Sequence, residues 1–257
     1  MAIPTTTREH DSAGSNAPPF SGFSRDAIQF LVELAENNER AWFQPRKADY
    51  ERLLRQPMEA LCVALAEQFA GRGIPLQADP KRSPFRIYRD ARFSRNKLPY
   101  KTNLAATFPW LGADGAAAGG AADADDGGRG RPHGNGGYFN FQPGEMYFGG
   151  GMWMPARPRL EAFRRAVRDE PERVRTALED PAFVAAFGGA HTHEMLKRVP
   201  VGYPIDHPLA ELFRWKDVIF GRRLSDSEVL SPTLPDVLAD GYASAVPVFR
   251  FLATLSD

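Results

Sequence analysis

Apolar residues in the first third of the chain recur at helical spacing in two stretches. Ser24 is a good N-cap for the first stretch, which Asn37 and Asn38 end. The second stretch begins around Pro45, and Pro57 should kink or split it because proline removes one hydrogen bond and clashes with the preceding turn. The pattern predicts an N-terminal helical layer. Its apolar positions are Ala27, Ile28, Leu31, Leu34 and Ala35, then Tyr50, Leu53, Leu54, Met58, Leu61, Cys62, Leu65 and Phe69.

The middle of the chain contains four short, turn-bounded segments rich in aromatic residues. Residues 85–93, 102–111, 138–142 and 146–153 are typical of β-strands. A Pro-Gly pair between the last two segments predicts an antiparallel hairpin. We therefore expect a sheet in the middle of the chain.

After residue 155 the pattern is again helical. Ser225 and Glu228 fit a capping box, and Pro247 predicts a bend in the last helical run. The order of helices, strands and helices predicts an α+β protein, with an antiparallel sheet of about four strands flanked by N- and C-terminal helices. One predicted helix has an apolar face and a basic face, the latter formed by Arg164, Arg165 and Arg168.

The chain is expected to have one folded domain. Residues 1–19 are predicted to be a flexible N-terminal tail, and residues 20–257 a single α+β domain. Residues 112–137 contain ten glycines and seven alanines, with almost nothing to bury. This stretch is therefore predicted to be an insertion between neighbouring strands.

Composition excludes several classes of protein. Lys+Arg and Asp+Glu number 32 each, so a uniformly basic nucleic-acid coat is excluded. Cys62 is the only cysteine, which excludes an intramolecular disulfide, and its place on an apolar stripe predicts a buried thiol. No apolar run is long enough to span a membrane and no export signal is found, so we expect a cytoplasmic protein without a membrane partner. The spacing of His191 and His193 does not favour a metal site, and no cofactor motif is found.

The zero net charge hides one strongly basic segment. Between residues 81 and 101 eight basic residues face one acid, so the segment carries +7 and the rest of the chain −7. In a strand over residues 85–93, Phe85, Ile87 and Arg89 would share one face. A guanidinium on that apolar face needs a carboxylate, several carbonyls or a bound anion. The basic residues are Lys81, Arg82, Arg86, Arg89, Arg92, Arg95, Lys97 and Lys101.

The opposite face of the same strand suits anion recognition. Asp90 lies between Arg86 and Arg92 and can hold both guanidinium groups in a fixed geometry that leaves donors for phosphate or carboxylate. Lys97 adds charge from the following loop, and Tyr100 adds a hydroxyl or a stacking face. The sequence therefore predicts a site for an anionic small molecule, a class that includes phosphate-bearing ligands. Its residues would be Arg86, Arg89, Asp90, Arg92, Lys97 and Tyr100.

Two alternatives stay open for this segment. Aromatic residues interleaved with arginines could stack the bases of a single-stranded nucleic acid. Alternatively, the charges could pair internally and anchor the sheet to acidic helices, as a structural or interaction domain would require. The sequence does not indicate whether the protein is an enzyme.

Asp206 and His207 are secondary candidates. His207 could act as a general base near neutral pH. The structural alternative is that Asp206 caps a helix and His207 occupies its first turn.

The basic segment has a recognisable signature. FRIYRDARFS at residues 85–94, followed by NK at 96–97 and PYKT at 99–102, resembles the signature of the uncharacterised bacterial domain-of-unknown-function family 2461. That signature is Arg-x-x-Arg-Asp-x-Arg-Phe, then Asp or Asn before Lys, then Tyr. The similarity runs from about Phe20 to Leu255, with a longer Gly/Ala/Asp stretch than usual and with Arg95 where an acidic or polar residue is more typical. The resemblance strengthens the predicted site and implies no particular reaction.

Overall fold

A computed structural model describes residues 19–89, 97–112 and 134–255 of the chain. The tail predicted for residues 1–19 lies outside these ranges except for its last residue. Most of the predicted insertion, residues 113–133, also lies outside them, as do Asp90 and Arg92. In the described ranges, every helix is too short or too polar to cross a lipid bilayer.

The N-terminal helices follow the apolar pattern closely. Helix α1 (Arg25–Glu36) has the predicted cap, because the Ser24 hydroxyl oxygen accepts a hydrogen bond from the backbone N–H of Ala27 at 3.1 Å. The second stretch is helical from residue 40 to residue 72. Pro57, where a kink or split was predicted, is the second residue of a helix that begins just after a π turn. Its parts are α2 (Arg40–Phe43), a 3-10 turn (Gln44–Arg46), α3 (Lys47–Tyr50), the π turn (Glu51–Arg55) and α4 (Gln56–Arg72).

Cys62 lies on the buried side of α4. Its side chain is fully buried, as the apolar stripe predicts. Burial in this apolar setting raises the pKa of the thiol well above its ordinary value. The thiol is therefore protonated at neutral pH and serves as a small apolar side chain.

Four antiparallel strands form the sheet in the order β1-β2-β3-β4. The hairpin between β2 and β3 is confirmed, with Asn140 opposite Tyr147 and Gly144 in the left-handed region at φ +76°. The α+β class and the four-strand antiparallel sheet are thus both confirmed. The strands are β1 (Leu104–Pro109), β2 (Asn135–Phe141), β3 (Tyr147–Met152) and β4 (Val218–Arg223).

The predicted strand over residues 85–93 is wrong for its described part. Residues 85–89 lie beside β1 but pair only through isolated bridges, Pro84 with Ala106 and Tyr88 with Tyr100. The backbone bends at residues 102 and 103, between the two bridges, and this bend interrupts the ladder. Residues 135–137 are also strand, as part of β2, where the glycine-rich insertion was predicted.

The fourth strand was missed in the sequence. Residues 218–223 read Val-Ile-Phe-Gly-Arg-Arg, which has neither strict alternation nor a long apolar run. Two contacts stabilise the charged Arg222 side chain in this strand. Its guanidinium lies 5.1 Å from the Phe148 ring centre and donates a hydrogen bond to Glu228 at 2.9 Å.

The core lies on the face of the sheet that carries large aromatic side chains. Phe148 of β3 makes edge contacts with Phe187 and Tyr242, and Phe220 of β4 packs against Phe249. The predicted capping box and the bend before Pro247 are confirmed. The C-terminal helices are α5 (Arg157–Asp169), α6 (Pro171–Leu178), α7 (Pro181–Phe187), a 3-10 turn (Ala210–Arg214), α8 (Asp226–Val229), α9 (Leu234–Ser244) and α10 (Val246–Ala253).

The predicted basic face of α5 needs one correction. Arg165 and Arg168 are exposed, but Arg164 is buried. Its guanidinium donates to the carbonyl oxygens of Phe213 at 2.9 Å and Trp215 at 3.2 Å. These carbonyls end the 3-10 turn, so Arg164 ties α5 to the segment that leads into β4.

Candidate anion-binding cleft

A cleft of about 240 Å³ lies between the N-terminal helical layer and the segment that runs beside β1. The helical residues 43–59 form one wall, and residues 80–88 form the other. Leu104, the first residue of β1, contributes to its lining. Part of the basic segment at residues 81–101 therefore lines a concave surface.

The helical wall is a row of residues spaced by four. Phe43, Lys47, Glu51, Arg55 and Glu59 all line the cleft. In a regular α-helix every fourth residue drifts around the axis, because 3.6 residues complete a turn. The π turn holds more residues per turn, so it rotates less per residue and offsets this drift. The five residues of the row therefore all face the cleft, although the row runs from residue 43 to residue 59.

The opposite wall alternates as an extended segment should. Phe85 and Ile87 are 8% and 5% exposed, whereas Arg86 is exposed and Tyr88 is 45% exposed. The Phe85 N–H donates to the carbonyl oxygen of Ala105 at 2.9 Å, which holds this wall against β1. The alternation predicted for this face is thus present, although the strand ladder is not.

Positive charges outnumber negative ones around the cleft. Lys47, Lys81, Arg55 and Arg86 line it together with Glu51 and Glu59, so the charges of the described lining residues sum to +2. In this set Arg55 is committed to the two carboxylates, since it donates to Glu59 at 2.9 Å and to Glu51 at 3.5 Å. The Glu59 hydrogen bond raises the pKa of the Arg55 guanidinium.

The predicted site residues divide between the cleft and other places. Arg86 lines the cleft, Arg89 is half-buried with its N–H on the Pro99 carbonyl, and Lys97 is exposed outside the cleft lining. Each of these three residues interacts with another part of the chain. The predicted roles of Asp90 and Arg92 lie outside the described residues and stay predictions.

Tyr100 lies in the core beneath this surface. It is 1% exposed, and its ring stacks on that of Phe43 at 4.1 Å. The buried Asn38 side chain binds both backbone groups of Tyr100, accepting from its N–H and donating to its carbonyl, each at 3.0 Å. The pattern predicts only a helix stop at Asn38, so this connection between the helical layer and residue 100 was missed.

One comparison with known proteins places the chain. A family model described as "Conserved hypothetical protein (DUF2461)" matches residues 26–251. The chain belongs to this family. No curated protein and no solved structure matches it. The DUF2461 match spans both walls of the cleft.

The secondary candidates of this DUF2461 chain lie elsewhere. Asp206 is exposed and the following 3-10 turn has no side-chain cap, so the predicted Asp206 cap is wrong. His207 takes that role in part, because its Nδ1 accepts the Leu209 N–H at 3.0 Å while its ring packs beside Phe213. This acceptor role places the proton of the neutral ring on Nε2. In the described part of the chain, no group of three or more His, Cys, Asp or Glu side chains could hold a metal ion.

Sequence reasoning missed the helical half of the DUF2461 cleft. Lys47, Tyr50 and Arg55 line it, yet none stood out by local motif. The usable signal was the row of polar residues at intervals of four on the solvent side of an otherwise apolar helical stretch. That signal alone does not say which other segment the row faces.

Proposed function

We propose that the cleft binds a small anionic ligand. The observation that carries this proposal is the net charge of +2 on the described side chains that line a partly apolar cavity. Lys47 approaches from the helical wall, and Lys81 and Arg86 from the opposite wall, so an anion between them would meet cations from two sides. The excess charge, rather than any one unpaired cation, supports the proposal.

The size of the cleft favours a small molecule over a polymer. Ligand pockets usually have about 300–1,000 Å³, so a cavity of about 240 Å³ suits a compact ligand. Tyr88 is the aromatic side chain at this site that offers an exposed ring, while Phe85 shows little of its surface. A single-stranded nucleic acid is the second candidate, because Arg86 and Tyr88 are both exposed and lie two residues apart on the same wall.

Calorimetric titration with inorganic phosphate at low ionic strength tests the proposal. We expect saturable binding that Lys81→Ala weakens about fivefold, as loss of one solvent-accessible charge contact would. Arg82→Ala is the matched control, since Arg82 is the exposed neighbour outside the cleft lining. Equal weakening by both substitutions, or absence of phosphate binding, would overturn the proposal.

A titration with a short single-stranded oligonucleotide separates the two candidates. The small-ligand proposal expects binding that is weak and lost on modest addition of salt. A nucleic-acid function would instead give tight binding whose affinity falls on a steep logarithmic slope with salt concentration. Tighter binding of the oligonucleotide than of phosphate, weakened by Tyr88→Ala, would favour the second candidate.

A further inference from the structure

Tyr50 contributes a phenol group to the lining of the cleft. The residue lines the cleft and is only 5% exposed, and its ring packs against Phe43 and Phe30 with centroids 5.6 and 6.4 Å away. Among the described residues, no group hydrogen-bonds the Tyr50 hydroxyl. The hydroxyl oxygen is not among the fully buried unpartnered atoms of the described residues, so it is open to an acceptor supplied by a ligand.

The hydroxyl is held in its protonated form. Burial, followed by the nearby negative charge of Glu51, raises the pKa of Tyr50 to about 12. At neutral pH the phenol therefore keeps its proton and can donate a hydrogen bond to an anionic or ester oxygen.

An exposed aromatic ring stands in the same cleft. Tyr88 is 45% exposed and has ring contacts with Phe43 at 6.4 Å and Tyr100 at 5.5 Å. These contacts hold the ring in place without covering it. A ligand with an apolar or planar part could bury its surface against this ring.

We infer that the cleft takes an organic phosphate, with its anionic group among the basic side chains, its apolar part against Tyr88 and an acceptor oxygen on the Tyr50 hydroxyl. This inference rests on the proposed function and names the ligand class of the same cleft. Its distinctive content is that neither an inorganic anion nor an uncharged aromatic molecule satisfies all three features.

Phenyl phosphate and inorganic phosphate, titrated side by side, test this inference. We expect phenyl phosphate to bind about tenfold tighter, since its ring is removed from water on binding. Tyr50→Phe should weaken phenyl phosphate binding about fivefold through loss of one hydrogen bond. Tyr88→Ala should remove the advantage of phenyl phosphate over inorganic phosphate.

The controls separate failure of this inference from failure of the proposed function. Tyr100→Phe removes a hydroxyl outside the cleft lining and should change neither affinity. Inorganic phosphate that binds as tightly as phenyl phosphate, or a Tyr50→Phe variant that binds phenyl phosphate like the wild type, would overturn the inference and leave the anion site standing. Failure of both ligands to bind would overturn both proposals. The Tyr50→Phe change deletes only an unpartnered hydroxyl, so the variant should fold.

Discussion

Basic side chains serve two different purposes in two regions of this protein. On α5, Arg164 is 5% exposed and its guanidinium is used up by two backbone carbonyls and by Glu161, which it contacts at 2.8 Å. In the cleft, Lys47 and Lys81 are exposed and surround a cavity. In the first region a buried cation connects two segments of the chain by hydrogen bonds. In the second region cations line a cavity that a ligand could occupy.

The difference shows that a run of basic residues does not by itself identify a binding site. Both regions stand out as basic in the sequence. What separates them is the supply of acceptors, since backbone carbonyls at the end of a 3-10 turn satisfy Arg164 from within the chain. Glu161 adds to this network by accepting from the Tyr203 hydroxyl at 2.9 Å.

The largest expected effect comes from removing the buried cation. Arg164→Met keeps the length of the side chain but removes the donor of two carbonyls and, in the described part of the chain, leaves the Glu161 carboxylate with the Tyr203 hydroxyl alone. We expect the free energy of unfolding to fall by about 3 kcal/mol, measured by urea denaturation. Phosphate affinity of the folded protein should stay unchanged.

The matched control is the neighbouring arginine. Arg165→Met alters an exposed side chain on the same helix and should change the unfolding free energy by less than about 0.5 kcal/mol. Equal destabilisation by both substitutions would show that the hydrogen bonds of the buried Arg164 do not stabilise the fold.

Two glycines in helices differ in the space around them. A Cβ at Gly241 of α9 would lie 2.5 Å from the Phe148 ring, whereas a Cβ at Gly71 of α4 would meet nothing within 4 Å. Gly241→Ala should destabilise by about 2 kcal/mol through overpacking. Gly71→Ala should stabilise by about 0.5 kcal/mol through helix propensity. Thermal or urea unfolding measures both, and effects of the same sign would contradict the packing described for α9.

A pH-dependent effect on stability tests the burial of the Tyr50 side chain. Its pKa of about 12 lies above the ordinary value of 10.0, so its contribution to stability is complete below pH 10 and is lost as pH rises towards 12. Between pH 10 and 11 the wild type should lose about 1 kcal/mol more unfolding free energy than Tyr50→Phe. Parallel pH profiles for the two proteins would mean that the hydroxyl is not shielded from water.

Much of the fold could be predicted from the sequence because it is encoded locally. Ser24 caps α1 through its own side chain, and the turn at Gly144 joins adjacent strands. Strand β4 was missed because its partner β3 lies about seventy residues earlier and its own pattern is too short to be distinctive. Residues 85–89 alternate as a strand does, but a bend in the neighbouring segment prevents a ladder.

The candidate site was only half predictable for a similar reason. Arg86 is part of a local motif and could be found, whereas Lys47 and Tyr50 join it only because the helical layer packs opposite the motif. Tyr100 was predicted at the surface, yet stacking on Phe43 draws its ring into the core. Packing between distant segments has no signature within either segment alone.

The central claim is that both walls of the cleft hold the anion together. It is tested most directly by calorimetric titration of inorganic phosphate into two double variants that each remove two positive charges. Lys47→Ala with Lys81→Ala takes one lysine from each wall, while Arg46→Ala with Arg82→Ala takes their sequence neighbours outside the lining. We predict about tenfold or greater weakening for the lysine pair and less than about twofold for the arginine pair. Equal weakening by the two double variants would contradict the account.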